Sequence, residues 1–447
     1  MENCAGTAPL NSKLEVGLVR AIGTGTLAAS IINLVIGAGI FALPALVVAE
    51  IGTAAPFAYL LCSILVGLVF LCFAEAGSRL ARSGGAYACV EAAFGSVAGF
   101  LVSALLWFGV GVLSCAAISN VIADTLASVW PWTGHPSVRF LFLCLLFGSL
   151  AAINVTGVRS ASRFVVLNTA VKLVPLLVLV ATGLPAIQWA NLAVKAWPPL
   201  ENFGATSLLL FFAFGGAELA LTPSGEVQNP PRTVPRAILL GLGGVLVLYI
   251  SVHAVAQGVL GPELAQQKGA PLAAAAERVL GTGGRLLLVL GTTLSIFATL
   301  SGSLLATPRA LFAAAEDGLL PSSLAKVHPR FRTPHIAIIV FAVLSCAFAV
   351  TGTFRSLAFV SSASVLLIYL AVSLSVLGLR RRNVQASQQV FRIPGGPLVP
   401  LVSSAVVLWL LSHIAKAEAL GLSLLLLVAS AVYGARLLWR KPPEYSP

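Results

Sequence analysis

Apolar residues in this chain fall into long unbroken runs. Stretches free of Asp, Glu, Lys and Arg cover 21–49, 51–74, 92–123, 140–158, 173–194, 202–217, 237–262, 286–308, 333–354, 356–379, 393–415 and 419–435, twelve in all. A helix needs about 20 apolar residues to cross the hydrocarbon core of a bilayer. The sixth run is short only because Glu218 interrupts it, and it continues to Gly225; the fifth reaches back to about Ala161, with Lys172 inside it. Ten-residue segments of alternating polarity, the mark of a membrane β-barrel, are absent. Each run is therefore expected to be a helix, because a lone helix satisfies its own backbone polar groups in lipid.

Composition sharpens this pattern. A length of 447 residues would suit about three soluble domains of roughly 150 residues. With 58% hydrophobic and 9% charged residues, against roughly 25% charged in a soluble domain, a water-facing surface cannot be covered. The mean hydropathy of +0.98 agrees. A net charge of +12 raises the question of a nucleic-acid partner, but the basic residues follow membrane topology instead. With both termini cytoplasmic, the inside loops hold clusters such as Arg380–Arg381–Arg382, and the outside loops hold far fewer basic residues, Arg139 and Lys268 among them. That asymmetry sets the orientation and predicts a multi-pass protein of the cell (inner) membrane. The polar first twenty residues lack a short apolar core with a small-residue cleavage site, so no removable signal peptide is expected. Seven cysteines form neither a CxxC nor a Cys/His cluster, which argues against a disulfide framework or a zinc site. No metal or other cofactor is expected, and oligomeric state leaves no trace in the pattern.

Two runs carry helix breakers. The first contains Gly37-Ala38-Gly39-Ile40-Phe41 with Pro44 beyond; the sixth contains Phe214-Gly215-Gly216-Ala217-Glu218 with Pro223 and Gly225 following. In a helix interior each Gly costs about 1 kcal/mol relative to Ala and Pro about 3. Small residues also serve close helix packing, but paired interruptions at corresponding places in two halves point to a transporter binding site. The first and sixth runs are five spans apart. Because five is odd, a second copy of a five-helix unit must enter the membrane the other way up. The expected architecture is an all-α membrane protein of twelve transmembrane helices, a 5+5 inverted repeat plus two C-terminal helices, with helices 1 and 6 discontinuous. In residues, a cytoplasmic segment 1–20 precedes repeats at 21–183 and 202–382, two closing spans at 393–439 and a cytoplasmic tail at 440–447. Where a helix unwinds, free N–H groups can bind a carboxylate and free carbonyls a cation or ammonium. An amino acid zwitterion presents both ends.

Four stretches resemble motifs of the amino acid–polyamine–organocation (APC) superfamily of permeases, which have the LeuT-type fold. GAGIFALPA (37–45) is similar to its first-helix motif. AEAGSRLARSGGAYACVEAAFG (74–95) resembles the helix 2–3 loop, with Ala86 where proline is common. FAFGGAELALTPSGEVQNPPRTVPRA (212–237) resembles the sixth helix and its following loop. TPRALFAAAEDGLLPSSLAKVHPRFRTPH (307–335) resembles the loop after helix 8, with Glu316 in place of a usual arginine. The resemblance implies an amino acid site at the unwound backbone of Ile36, Gly37, Ala38, Gly39 and Ile40 and of Phe212, Ala213, Phe214, Gly215 and Gly216. The N–H groups of Ala38, Gly39 and Ile40 are expected to hold the carboxylate, and carbonyls near Phe212, Ala213 and Gly215 the ammonium. Phe212 stands where the family often has an aromatic gate.

Two charges sit inside runs. Lys172 is about ten residues, roughly 15 Å, from either end of its helix, too far for its side chain to snorkel out. A charge at a helix centre costs about 2.5–3.5 kcal/mol, so Lys172 is expected to face the bundle interior, where burial disfavours the charged amine. In related proton-coupled permeases a helix 5 lysine lies beside the unwound part of helix 1, which makes Lys172 a candidate carrier of the coupling proton. Its alternative role is a permanent ammonium held by helix 1 carbonyls. Glu218 follows the second break and is a candidate for a proton relay or for shaping the unwound segment. Glu75 is expected to pair with Arg79 at i,i+4; His253 and His413 are expected to be packing residues.

These features favour a secondary active transporter of amino acids or related amines, coupled to protons. An exchanger or a non-transporting nutrient sensor of the same fold shares every one of them. A channel filter, the nucleophile and metalloprotease motifs of an enzyme, and the GxxxxGK[ST] loop of an ATP-driven pump are absent from the sequence.

Overall fold

The computed structural model describes residues 23–80, 85–156, 161–194, 196–216, 227–316, 318, 320–384 and 391–439. Fifteen α-helices account for nearly all regular structure among them: α1 (Thr24–Val35), α2 (Gly39–Ile51), α3 (Ala55–Arg79), α4 (Gly85–Phe94), α5 (Ser96–Ala104), α6 (Leu113–Val129), α7 (Pro136–Thr156), α8 (Ala161–Gly183), α9 (Leu200–Leu210), α10 (Pro230–Leu260), α11 (Pro271–Glu316), α12 (His335–Thr351), α13 (Phe354–Arg381), α14 (Leu398–Leu411) and α15 (Lys416–Trp439). No strand occurs among the described residues.

Seven segments among the described residues are long and apolar enough to cross a membrane: Gly39–Arg79, Ser96–Val129, Pro136–Thr156, Arg232–Gln266, Pro271–Glu316, Phe354–Arg381 and Lys416–Ala435. Shorter apolar helices fall at Thr24–Val35, Lys172–Ala186, Leu200–Phe214, His335–Thr351 and Leu398–Leu411. Every helix overlaps or adjoins one of the apolar runs in the sequence, and α8 does begin at Ala161. Helix α11 is bent at Gly281, whose φ of 66° departs from helical geometry. Between α5 and α6 the chain passes through a π-helical stretch, Leu105–Val112.

The outer surface is apolar. Leu145, Leu240 and Leu290 are all more than half exposed, as lipid-facing side chains must be when no water is available to repay polar ones. The interior is mostly Leu, Ala and Val, and its largest fully buried side chains include Tyr59, Tyr249, Tyr369, Phe70, Phe211 and Phe214. Tyr369 on α13 meets Phe70 and Phe73 of α3 and Phe211 at centroid distances of 6.4, 5.7 and 5.7 Å, all edge-to-face. Such pairs add about 0.5–1.5 kcal/mol each beyond area burial. They pack the floor beneath the second helix break.

Candidate functional site

The first break separates α1 from α2. Helix α1 ends at Val35, Ile36 leaves helical geometry at ψ 89°, and α2 begins at Gly39. A helix end leaves about four carbonyls without intrahelical donors. Here three of them have a donor within reach. The Ile32 carbonyl accepts from the Ile36 N–H at 3.0 Å. The Asn33 carbonyl accepts from Lys172 Nζ at 3.3 Å. The Leu34 carbonyl faces Gly216, where an added Cβ would lie 3.0 Å from it. The Val35 carbonyl lies 3.0 Å from the Tyr249 hydroxyl. A cation at a helix C-terminus also suits the macrodipole, and Lys172, only 5% exposed, supplies it from α8.

The opposite side of the same break is open. Phe41 N–H donates to the Ala38 carbonyl at 3.0 Å, but no described residue accepts from the N–H groups of Ala38, Gly39 or Ile40. These donors sit at the positive end of the 13-residue helix α2, an arrangement suited to an anion.

The second break follows α9. The chain tightens into a 3₁₀ turn at Phe211–Phe214, becomes extended at Gly215 (ψ 152°) and takes a left-handed φ of 95° at Gly216. That φ favours glycine because an L side chain clashes there. The Phe212 carbonyl accepts from Gly215 N–H at 3.3 Å, and the Ala213 carbonyl accepts from the Tyr249 hydroxyl at 2.7 Å. Phe214 is fully buried against Tyr249, centroids 5.5 Å apart. The Phe212 ring is partly buried and meets Phe354, at the start of α13, edge-to-face at 5.6 Å. Glu218 lies outside the described residues.

The two breaks touch. A Cβ built on Gly39 would lie 2.8 Å from Ala213 Cα and 2.9 Å from its Cβ, so only a glycine lets the two backbones approach so closely. Of the residues expected at the site, Ile36 to Ile40, Phe212 to Gly216 and Lys172 are thus brought together. Tyr249 was not singled out from the sequence. Its single hydroxyl bridges carbonyls of both breaks, and nothing in its own helix marks it among the apolar residues around it. Above it on α10, His253 Nε2 bonds to Gln257 Oε1 at 3.0 Å, while His413 Nδ1 donates to the Trp409 carbonyl at 2.8 Å. Both histidines have short-range partners, in keeping with packing roles. Among the described residues no group of three His, Cys, Asp or Glu side chains is placed to hold a metal ion.

On the side of the breaks toward α13, a cavity of about 450 Å³ is lined by Glu50, Glu201, Thr206, Leu209, Arg355 and His413, among others. Arg355 pairs with Glu50 across it at 2.8 Å.

Apolar spans and two interrupted helices in contact, with unpaired N–H donors at the head of α2, suit an integral membrane permease. The comparisons with known proteins give the same class and narrow it: residues 22–436 match the amino acid permease family, and the chain belongs to it, within the APC superfamily. It is 31% identical over 399 residues to the serine/threonine exchanger SteT of Bacillus subtilis, across 88% of this chain and 89% of that one. A methylthioribose transporter of the same bacterium is 28% identical over 421 residues, 90% of each chain. The mouse Asc-type amino acid transporter 1 is 28% identical over 452 residues, 96% of this chain and 83% of the relative. Members of this family are permeases and not enzymes.

Proposed function

We propose that this protein is a secondary active transporter that carries amino acids, or related amines, across the cell membrane by alternating access, with protons as the coupling ion. The observation that carries the reading is the contact between the two breaks, with the N–H groups of Ala38, Gly39 and Ile40 open on one side and the carbonyls of Phe212 and Ala213 on the other. A zwitterion spans such a gap: its carboxylate takes the donors at the head of α2 and its ammonium takes the remaining lone pairs of the carbonyls. Lys172 is the proposed proton carrier. Protonated, it caps the end of α1; deprotonated, it cannot offer the same charge, and α1 is free to move. Glu218 is retained as a second candidate for proton movement.

The proposed frame is twelve spans with both termini cytoplasmic, repeats at 21–183 and 202–382, and two further helices at 393–439. Cysteines placed at positions 268 and 326 should label only from outside and only from inside, respectively; labelling of position 326 from outside intact cells would overturn it.

Exchange is a second reading, favoured by the likeness to a serine/threonine exchanger over 88% of the chain. One experiment separates the two. The purified protein is reconstituted in sodium-free proteoliposomes and offered a panel of labelled amino acids, with methylthioribose as a non-amino-acid control. Accumulation driven by an inward proton gradient supports symport. Uptake only against internal substrate, indifferent to the gradient, supports exchange. Uptake of the thiosugar alone would remove the amino acid reading.

A further inference from the structure

Helix α3 is fastened at its two ends to different parts of the molecule. On its outer half, Cys62 Sγ donates to the Ser207 carbonyl of α9 at 3.4 Å. The Tyr59 ring stands 6.0 Å from Tyr249 and 5.3 Å from His253, both on α10. This half is fastened to α9 and α10. On the inner half, Phe70 and Phe73 pack on Tyr369 of α13. At the inner end, Glu75 is completely buried yet charged.

Five donors surround that carboxylate. Oε1 accepts from Arg79 Nε and Nη2 at 3.0 and 2.8 Å and from Arg380 Nε at 2.7 Å. Oε2 accepts from Arg380 Nη2 at 2.5 Å and from the Ile393 backbone N–H at 2.9 Å. Ser78 adds a bond from the Phe391 N–H at 3.1 Å. One side chain thus ties α3 to the end of α13 and to the strand of chain that leads into α14. Arg79 at i,i+4 is the ordinary helix-surface partner, but Arg380 and Ile393 lie 305 and 318 positions away. A structure needing only to neutralise Glu75 had that in Arg79 alone.

Between the two anchorages lies Gly67. A Cβ there would come no nearer than 3.8 Å to Leu242 Cδ1, so packing does not demand a glycine. Gly loosens a helix interior relative to Ala, and here it does so where the two halves of α3 change allegiance.

We propose that Glu75 is a positioning residue for transport. It holds the inner half of α3 on α13 and α14, so that movement of α9 and α10 around the breaks is taken up as a bend of α3 near Gly67. This inference rests on the transport reading above. It concerns turnover: Glu75 lies about 24 Å along α3, at 1.5 Å per residue, from Tyr59, which packs against Tyr249.

The test uses initial uptake rates in proteoliposomes, normalised to folded transporter recovered by size exclusion. Glu75→Gln should lose tenfold or more in maximal rate with KM within twofold of wild type. Arg380→Lys keeps the charge and loses the two-pronged geometry, so it should lose less. Gly67→Ala, which fits without a clash, should slow turnover several-fold with KM unchanged. A merely structural role would lower the yield of folded protein and leave the rate per folded molecule untouched. Wild-type rate in folded Glu75→Gln or in Gly67→Ala would overturn the proposal; if Glu75→Gln does not survive purification, Gly67→Ala decides alone. A wild-type protein that moves no amino acid would instead sink the transport reading, and this one with it.

Discussion

The two interruptions differ in what they leave unsatisfied. At the first, Lys172 donates to the Asn33 carbonyl and the Tyr249 hydroxyl lies 3.0 Å from the Val35 carbonyl, while no described residue accepts from the N–H groups of Ala38, Gly39 and Ile40. At the second, the Phe212 and Ala213 carbonyls already have partners, Gly215 N–H on Phe212 and the Tyr249 hydroxyl on Ala213. On the proposed reading, a carboxylate meets donors already oriented at the head of α2, at little cost in reorganisation. An ammonium must share carbonyls that are in use. On the proposed reading, affinity rests chiefly on the first break and the response to binding chiefly on the second, with Tyr249 within reach of both.

Closing the first break should have the largest effect. Gly39→Leu forces a side chain into Ala213 backbone atoms that a Cβ alone would meet at 2.8 Å. Backbone cannot swing aside as a side chain can, and overpacking costs about 1–3 kcal/mol or more. Substrate binding to the purified variant should fall to background while folded protein is still recovered. Normal affinity would place the site away from the contact between the breaks.

Next comes the cap on α1. Lys172→Ala leaves the Asn33 carbonyl without its cation and leaves nothing at this position to load a proton. Wild-type accumulation should rise as external pH falls, because more of the amine is charged on the side from which substrate enters. The variant should lose that response entirely and keep slow exchange, since the donors at the head of α2 are untouched. A coupling free energy of only about 1–3 kcal/mol between the two states suffices for this behaviour. Equal gradient-driven accumulation in wild type and Lys172→Ala would remove Lys172 from the mechanism.

How much of this was legible follows from where the partners sit. Gly37 and Gly39, and Gly215 and Gly216, mark their breaks locally, because conformational preference is a property of the residue itself. Lys172 was also legible: its distance from both helix ends leaves only an inward direction. The i,i+4 pairing of Glu75 with Arg79 needed no fold. Its bonds to Arg380 and Ile393 did, and so did Tyr249, whose two carbonyl partners are 214 and 36 positions away. The reason Gly39 must be glycine was also hidden. The sequence marked it as a helix breaker, whereas the structure shows the Ala213 backbone against it. What a residue does to its own helix could be read; what it does to a distant backbone could not.

Tyr249→Phe probes the shared group with a smaller expected loss. The ring stays, so its edge contacts with Phe214 and Tyr59 persist, and only one hydroxyl is removed. Leaving a buried carbonyl without its donor costs about 1–3 kcal/mol. Because the hydroxyl orients carbonyls of both breaks, substrate affinity should fall about tenfold, corresponding to about 1.4 kcal/mol, as measured by binding at constant pH. A rise in affinity would mean that the hydroxyl competes with the ammonium instead of orienting its acceptors, and the second break would then be the one held in reserve.

The smallest effect is expected at the rim of the second break. Phe212 is only partly buried and holds Phe354 edge-to-face at 5.6 Å, beside the Glu50–Arg355 pair that lines the neighbouring cavity. An edge-to-face pair contributes about 0.5–1.5 kcal/mol beyond area burial. The exposed ion pair contributes about 1 kcal/mol at most, so neither contact alone can hold a path shut. Phe212→Ala should therefore leave binding to the prepared donors of α2 nearly intact and act on escape. Bound substrate should dissociate roughly two- to tenfold faster, with the association rate changed less. Phe354→Ala should reproduce the effect, and the double variant should add little, because each single change already removes the shared contact. Fully additive losses in the two single variants would show that Phe212 acts on substrate independently of Phe354. The rim would then belong to the binding site and would not serve as its closure.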